Sequence, residues 1–367
     1  MKILIDARFM GTATGIGRYV SELVFNLESV DHDNHYFILI NRENENKYES
    51  KKSNFKKVIV DIPWYGLKEQ LEVPKILKKI KPDLVHFPHF NVPLYCKFPF
   101  IVTIHDLILT RYPSQKATTL SPIKYFIKNI LYRMVISNAV KKSKKIIAVS
   151  EFTKLDIVKF FKIKSDKVFV TYEGVSHKLV SSNESLDILN KLNIKKDFLL
   201  YVGNAYPHKN LEFLISTFNK FEHLENYELV LVGKEDYFYK RLKQFVTDNS
   251  FKNIIFAGFV DDSNLSILYK KCSVYVFPSL CEGFGLPPLE AMTNSAVVLS
   301  SNYSCLPEIL KDCAIYFDPK DETNFIEQLN KILTDDDLKK DLRLKSQELL
   351  KNYTWEKMTR QTLEIYK

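Results

Sequence analysis

Glu282 and Glu290 stand eight positions apart in SLCEGFGLPPLEAM, residues 279–292. Between them lie Gly283, Phe284, Gly285 and Leu286, then two adjacent prolines. Proline suits the first turn of a helix, where its missing N–H would have no partner. The pattern predicts a strand, SVYVFPSL, then a loop bearing Glu282, then a helix bearing Glu290 near its start. Carboxylates accept hydrogen bonds from vicinal hydroxyls, the surface that a sugar or ribose presents. Taken singly, Glu282 reads as a solvated loop residue and Glu290 as a partner of the helix dipole. Taken together, the group suits a ligand with two polyhydroxylated rings joined by an anion.

A second segment, YVGNAYPHKNL at 201–211, could meet that anion. A strand ends at Gly203, Asn204 opens a loop, and His208 and Lys209 stand at the entry of a helix. A cation there opposes the helix dipole unless an anion is expected. Lysine is a compact point charge suited to a diphosphate. GTATGIGRYV at 11–20 follows the first strand. Gly15 and Gly17 allow close backbone approach at a helix start. A dinucleotide fingerprint would need a glycine where Val20 stands, and a P-loop would need Gly-Lys-Ser/Thr. Diphosphate contact and an ordinary tight turn both remain open for this loop.

His105 and Asp106, in VTIHDL, end an apolar strand and should point towards a ligand. His105 is placed either to bond a substrate hydroxyl and support proton movement or as a structural histidine. His89 and Asn91, in HFPHFNVPL, follow another strand and read as wall of an acceptor cleft. No metal site is expected. His86 and His89 lack a carboxylate at helical spacing, and Pro88 forbids a regular helix there. Asp31-His32-Asp33 lies in a polar loop, and Asp335–Asp337 reads as a helix N-cap cluster.

These residues require elements that end where they stand. Short β-branched runs alternate with amphipathic stretches along the 367 residues. KILIDARF, YFILIN, KKVIVDI, DLVHF, FIVTIHD, KIIAVS and KVFVTYEG read as strands. A polar stretch near 176–196 interrupts them, and FLLYVGN, ELVLVGK, NIIFAGF, SVYVFPSL, AVVLSS and AIYF start a second series. Two βα series in succession predict an α/β protein with two parallel sheets, each covered on both faces. A chain of this length is also too long for one ordinary core.

At 46% hydrophobic and 26% charged, the composition is that of a globular protein. No apolar run approaches the roughly 18–20 residues that span a bilayer, and MKILIDARFM reads as a first strand, not a signal peptide. Five scattered cysteines without a CxxC pair fit a reducing cytoplasm better than a disulfide framework or zinc site. The net charge is +9, yet residues 111–167 alone hold fourteen basic residues against three acidic ones. Such a patch suggests an anionic partner. Within it, Ile123, Phe126, Ile127, Ile130, Leu131 and Met134 accompany Lys124, Lys128 and Arg133. The first expectation is a core-packed helix with a solvated basic face. The sharper one is peripheral attachment to an anionic membrane. Nucleic acid would explain the charge but none of the motifs.

CEGFGLPPLE, with its Glu-x7-Glu, resembles the family 4 retaining glycosyltransferases of GT-B fold, as do VGNAYPHKN, GIGRY and VTIHDL. The resemblance runs over essentially the whole chain in the same order. HFPHFNVPL with SEFTKLDI looks most like bacterial enzymes that transfer mannose or a related sugar in surface-polysaccharide synthesis. It implies two doubly wound Rossmann-like domains facing across a cleft. Residues 1–178 would form the acceptor side and 179–352 the nucleotide-sugar side, with a helix at 353–367 packing back on the first.

The resemblance also assigns roles. Glu282 would hold the donor sugar, with Gly283, Phe284, Gly285 and Leu286 beside it, and Glu290 the ribose. Lys209, Asn204 and His208 would meet the diphosphate, with Gly15 and Gly17 approaching it, and His105 would lie beside the transferred sugar. It implies a cytoplasmic enzyme, metal-independent and without a cofactor. That enzyme would move a hexosyl group, mannosyl from GDP-mannose first, to a lipid-linked or polysaccharide acceptor. A UDP-sugar or rhamnosyl donor, or a non-catalytic nucleotide-sugar-binding protein, are the alternatives. Two departures stand out: Asn204 replaces a common arginine, and Thr293-Asn294-Ser295-Ala296 replaces a smaller pair after Glu290.

Overall fold

The computed structural model describes residues 1–12, 14–112, 121–176 and 187–367. Ala13, Lys116 and the expected boundary at 178/179 lie outside these residues. Met1–Arg111, Leu120–Gly174 and Tyr353–Lys367 cluster as one compact unit, and Val175–Asn352 make up most of the other.

In the first unit, seven strands form a parallel sheet: β1 (Lys2–Asp6), β2 (His35–Asn41), β3 (Phe55–Val60), β4 (Leu84–Phe87), β5 (Phe100–Ile104), β6 (Lys145–Ala148) and β7 (Val168–Val170). Their order is β3-β2-β1-β4-β5-β6-β7. Every residue of β4 and β5 is buried, as a sheet covered on both faces requires. The helix Gly15–Val30 buries Tyr19, Val20, Leu23, Val24 and Leu27, one stripe at helical spacing. The last helix, Trp355–Tyr366, packs against it. Gly174 lets the chain pass there: a Cβ would lie 2.2 Å from the Trp355 nitrogen.

The helix Pro122–Lys142 corrects the expectation of a core-packed helix. Its packed stripe is Tyr132, Ile136, Ala139 and Val140. The six apolar residues singled out above form a second stripe that faces solvent, with Ile123 75% and Phe126 65% exposed. The sequence pattern shows a helix with apolar residues nearly all round, and periodicity alone does not tell which stripe finds a partner.

The second unit repeats the winding with β8 (Asp197–Val202), β9 (Tyr227–Val232), β10 (Ile254–Gly258), β11 (Val274–Phe277), β12 (Val298–Ser301) and β13 (Ile315–Phe317). These are parallel in the order β10-β9-β8-β11-β12-β13. In each unit the chain starts in mid-sheet, winds outward, then returns to the other side. The reversal falls between β1 and β4, and between β8 and β11. Ligands of such sheets bind outside the carboxyl ends of the strands at this switch point.

Asp335 caps the helix Asp336–Leu350 by accepting from the Leu338 N–H at 2.8 Å. Asp31 organises its own loop, accepting from the Asp33 N–H at 2.9 Å and the Asn34 amide at 2.7 Å. None of the five cysteines forms a disulfide, and four of them are buried. No described helix is long and apolar enough to cross a membrane.

Candidate active site

The two loops at the switch point of the second unit carry the predicted donor residues. The loop after β8 leads through Gly203 and Asn204 to a short turn, Pro207–Lys209, and then to the helix Leu211–Phe218. The loop after β11 carries Glu282. The Leu280 N–H donates to the His208 carbonyl at 2.7 Å, which ties the two loops together.

Lys209 and Glu282 meet in this structure. The ammonium Nζ donates to Glu282 Oε1 at 2.7 Å, with the side chains 12% and 10% exposed. Nζ also sits 5.5 Å above the centre of the Phe277 ring. Removing one member of so buried a pair strands the other charge, so the pair opens only when something replaces both partners. A ligand with an anion for the lysine and hydroxyls for the carboxylate does that.

The Glu282 loop is pinned from below. Its backbone N–H donates to Ser304 Oγ at 3.0 Å, and the Cys305 thiol faces the carbonyls of Glu282 and Phe284 at 3.4 and 3.3 Å. Gly283 and Phe284 are buried with it. Gly285 has φ +93°, and a Cβ would lie 2.9 Å from Leu306 Cδ2, so glycine is required. The helix Leu286–Thr293 starts there, with Pro287 and Pro288 in its first turn and Glu290 half-buried one turn in. Its end explains one departure. Thr293 and Asn294 donate to the Glu290 carbonyl at 2.7 and 2.9 Å, satisfying a helix-end acceptor.

Asn204 is exposed, and its side-chain oxygen accepts from the Tyr206 N–H at 3.4 Å. Burial pushes His208 down to about 4, with Lys209 adding to the shift and Glu282 opposing it. Near neutrality His208 is uncharged, so Lys209 is the cation of this turn. Three buried tyrosines hold successive carbonyls leading into the loop. Tyr275 donates to Val202 O at 3.4 Å, Tyr239 to Gly203 O at 2.8 Å and Tyr201 to Asn204 O at 2.8 Å. Nothing in their spacing announced this role.

In the first unit the two glycines separate. A Cβ on Gly17 would lie 2.3 Å from Thr12 Oγ1 and 2.5 Å from the Thr12 carbonyl, and the Gly17 N–H already bonds Thr14 Oγ1 at 3.0 Å. Gly17 is therefore required by the packing of its own loop. A Cβ on Gly15 would meet nothing within 4 Å.

Asn91 has an internal partner. It is buried and donates to Glu69 Oε1 at 2.7 Å. The same Glu69 oxygen accepts from Arg8 Nη2 at 2.6 Å, and Asp6 holds the other side of that buried guanidinium at 2.6 and 2.7 Å. Asn91 thus belongs to this internal network. Glu69 is raised by burial, against the pull of Arg8. Asp106 accepts from the Ile108 N–H at 2.9 Å, capping the short helix Ile108–Arg111, a use that the acceptor assignment did not foresee. His89 is buried, its Nε2 2.8 Å from the Tyr65 hydroxyl, and it packs edge-on to Phe9, which stacks on Trp64. Burial, then the charge of His105, holds His89 well below its ordinary value.

His105 does not offer a spare nitrogen. Nε2 is 2.9 Å from the Pro88 carbonyl and Nδ1 3.1 Å from Glu173 Oε1. Glu173, in YEGV just beyond β7, is the residue that the sequence reading missed. The rule that singled out His105, a polar side chain at a strand's carboxyl end, would have found it.

Two doubly wound parallel sheets in series, with this set of residues at the second switch point, are the plan of the GT-B glycosyltransferases. Residues 13–179 match the model of Glycosyltransferase Family 4, and residues 185–349 that of Glycosyl transferases group 1. The O-antigen chain mannosyltransferase RfbU of Salmonella typhimurium is 32% identical over 264 residues, 71% of this chain and 68% of that protein. The O-antigen chain mannosyltransferase B of Escherichia coli is 28% identical over 96% of each chain. Among solved structures, the sucrose-phosphate synthase of Thermosynechococcus elongatus has a TM-score of 0.78 at 18% identity, covering 100% of this chain and 98% of its own. WaaG, a glycosyltransferase of lipopolysaccharide biosynthesis, has a TM-score of 0.74 at 16% identity, covering 100% and 99%. The chain belongs to glycosyltransferase family 4. It is a glycosyltransferase of GT-B fold.

Proposed function

We propose that the protein moves a mannosyl group from GDP-mannose to a lipid-linked or polysaccharide acceptor, with retention at the transferred carbon, in the synthesis of a bacterial surface glycan. The observation that carries the donor site is the buried Lys209–Glu282 pair at the switch point of the second unit. The mannosyl assignment rests on the O-antigen mannosyltransferases to which the chain is similar. On this reading Glu282 turns to the donor sugar, Glu290 takes the ribose, and Lys209 takes the diphosphate. Negative charge grows on the leaving diphosphate as the sugar becomes oxocarbenium-like. A cation already fixed in a water-poor site stabilises that charge without reorganising. The reaction then needs no divalent ion, and the leaving phosphate accepts the proton of the acceptor hydroxyl. Within the first unit, Gly15, whose surroundings are open, and His105 are the residues that this reading turns towards substrate.

The test is transfer from GDP-, UDP-, ADP- and dTDP-sugars to a lipid-linked acceptor, with and without chelator. GDP-mannose should be the preferred donor and chelator should leave the rate intact. Preference for another donor would overturn the mannosyl assignment, and loss of turnover in chelator the metal-free one.

We also propose that the exposed stripe of the helix Pro122–Lys142 rests on an anionic bilayer. Ile123, Phe126, Ile127, Ile130, Leu131 and Met134 recur at helical spacing and span about 16 Å of helix. Lys124, Lys128 and Arg133 flank them, and the helix has no acidic residue. An apolar stripe edged by cations matches an interface of acyl chains and anionic headgroups. Sedimentation with phosphatidylglycerol vesicles should carry the wild type down and leave Phe126→Glu/Ile130→Glu in solution. Equal recovery on neutral vesicles, or self-association with no lipid binding, would refute the proposal.

A further inference from the structure

Three histidines stand near the carboxyl ends of β4 and β5, His86 and His89 buried and His105 mostly so, yet they are differently partnered. His86 Nδ1 meets the Tyr366 hydroxyl at 2.7 Å, and its Nε2 meets Thr103 Oγ1 at 2.8 Å. Hydroxyls donate or accept, so His86 is satisfied as a neutral ring. His89 has one hydroxyl partner, Tyr65, and is satisfied on that side in the same way. His105 is different. Its two partners, a proline carbonyl and a carboxylate, are both acceptors. A ring nitrogen carrying a lone pair would face one of them unfavourably. Two acceptors call for two N–H donors, which only the imidazolium has.

The remaining neighbours agree with one charge at this place. Tyr19 packs edge-on against the His105 ring at 4.8 Å, from the helix Gly15–Val30. Its hydroxyl joins Thr103, which joins His86. Asp106 follows directly in the chain and adds negative charge. Thr153, on the helix Glu151–Phe161, directs its hydroxyl to the His105 carbonyl at 3.5 Å. Burial alone would push His105 down, but the bond to Glu173 and its charge, with the Pro88 carbonyl and Asp106, leave it raised. Burial and the His105 charge push His86 down to about 3. Of the three rings, the one with a carboxylate holds the proton.

We propose that Glu173 is a positioning residue that keeps His105 doubly protonated with both N–H groups committed, so that His105 serves the reaction as a fixed positive charge and neither donates nor accepts a proton. A cation held at the carboxyl ends of a doubly wound sheet suits a substrate that carries or develops negative charge. The catalytic half of the statement rests on the glycosyl-transfer reading above. The protonation half does not.

The experiment takes the full-length protein with isotope-labelled histidine and follows the His105 ring nitrogens by NMR from pH 5.5 to 9, without substrate. Wild type should show both nitrogens protonated at pH 7. Glu173→Gln should lower the His105 midpoint by about one to three pH units, the range for loss of an adjacent opposite charge. Glu173→Asp, keeping the carboxylate, should recover most of the shift. Transfer assays over the same range should show the alkaline limb of kcat moving down in Glu173→Gln and returning in Glu173→Asp. Circular dichroism and the melting curve confirm that each variant folds. A neutral His105 in the wild type at pH 7, or an unmoved midpoint in Glu173→Gln, overturns the proposal even if no donor has been found. A moved midpoint with an unmoved kcat profile overturns the positioning role.

Discussion

His105–Glu173 in the first unit and Lys209–Glu282 in the second are both cation–carboxylate pairs at the carboxyl ends of strands, and the two are built to opposite ends. In the second unit, Lys209 spends one donor on Glu282, and a lysine has three on a flexible stem. On the proposed reading, that pair would exchange its bond for a diphosphate and a sugar. In the first unit, His105 spends both nitrogens on Pro88 and Glu173, and a stiff ring has nothing left to give. The lesson is that a similar charge pair is exchangeable or fixed according to how many donors its cation keeps in reserve.

The sharpest break between the pairs lies in activity. Lys209→Ala should lower transfer by about 10²–10³-fold, the usual loss when a preorganised charge-stabilising donor goes. Glu282→Gln should fall in the same direction. Wild-type rates in both would remove the donor-site assignment. The glycines give the next largest effect, this time in stability. Gly17→Ala must force a Cβ against the Thr12 backbone and should cost about 1–3 kcal/mol. Gly15→Ala meets open space and should melt like the wild type while weakening donor binding. Denaturant midpoints and donor titrations measure both, and matched stabilities would contradict the separation.

Stability against pH should show the two histidines running in opposite directions. His208 is depressed in the folded state, from an ordinary value of about 6.5 to about 4. Its contribution is present above the ordinary value and lost as pH falls towards 4. His105 is raised, so its contribution is present below the ordinary value and lost as pH rises through the folded one. Melting temperatures of wild type against His208→Gln should converge on acidification, and those against His105→Gln on alkalinisation. Parallel curves would sink the contrast. The smallest effect is expected at the tyrosines. Tyr239→Phe removes the hydroxyl bonded to Gly203 and should cost about 1 kcal/mol, with a modest loss of donor affinity as the loop loosens.

Much was legible from local pattern. The strands announced themselves because both faces of a parallel sheet are buried, which writes continuous apolar runs into the chain. Glu282, the two prolines and Glu290 were readable because proline is favoured in the first turn of a helix. The bond from Asn91 to Glu69 was not legible because a polar residue in a loop after a strand looks the same whether it faces a ligand or a buried carboxylate. Gly15 and Gly17 looked equivalent because sequence records the missing side chain, not what would collide with it.

The helix Pro122–Lys142 shows the same limit at larger scale. Its apolar spacing is written in the sequence, but which stripe packs depends on what the sheet brings against it. The chain by itself determined the two βα series, the order of the motifs and the chemistry available at each strand end. These follow from periodicity and backbone geometry, which are local. Only the tertiary structure decided which charges meet: Lys209 with Glu282 across 73 positions, and His105 with Glu173 across 68. Pairings at such separations are set by strand order, and strand order is decided by the packing of whole elements.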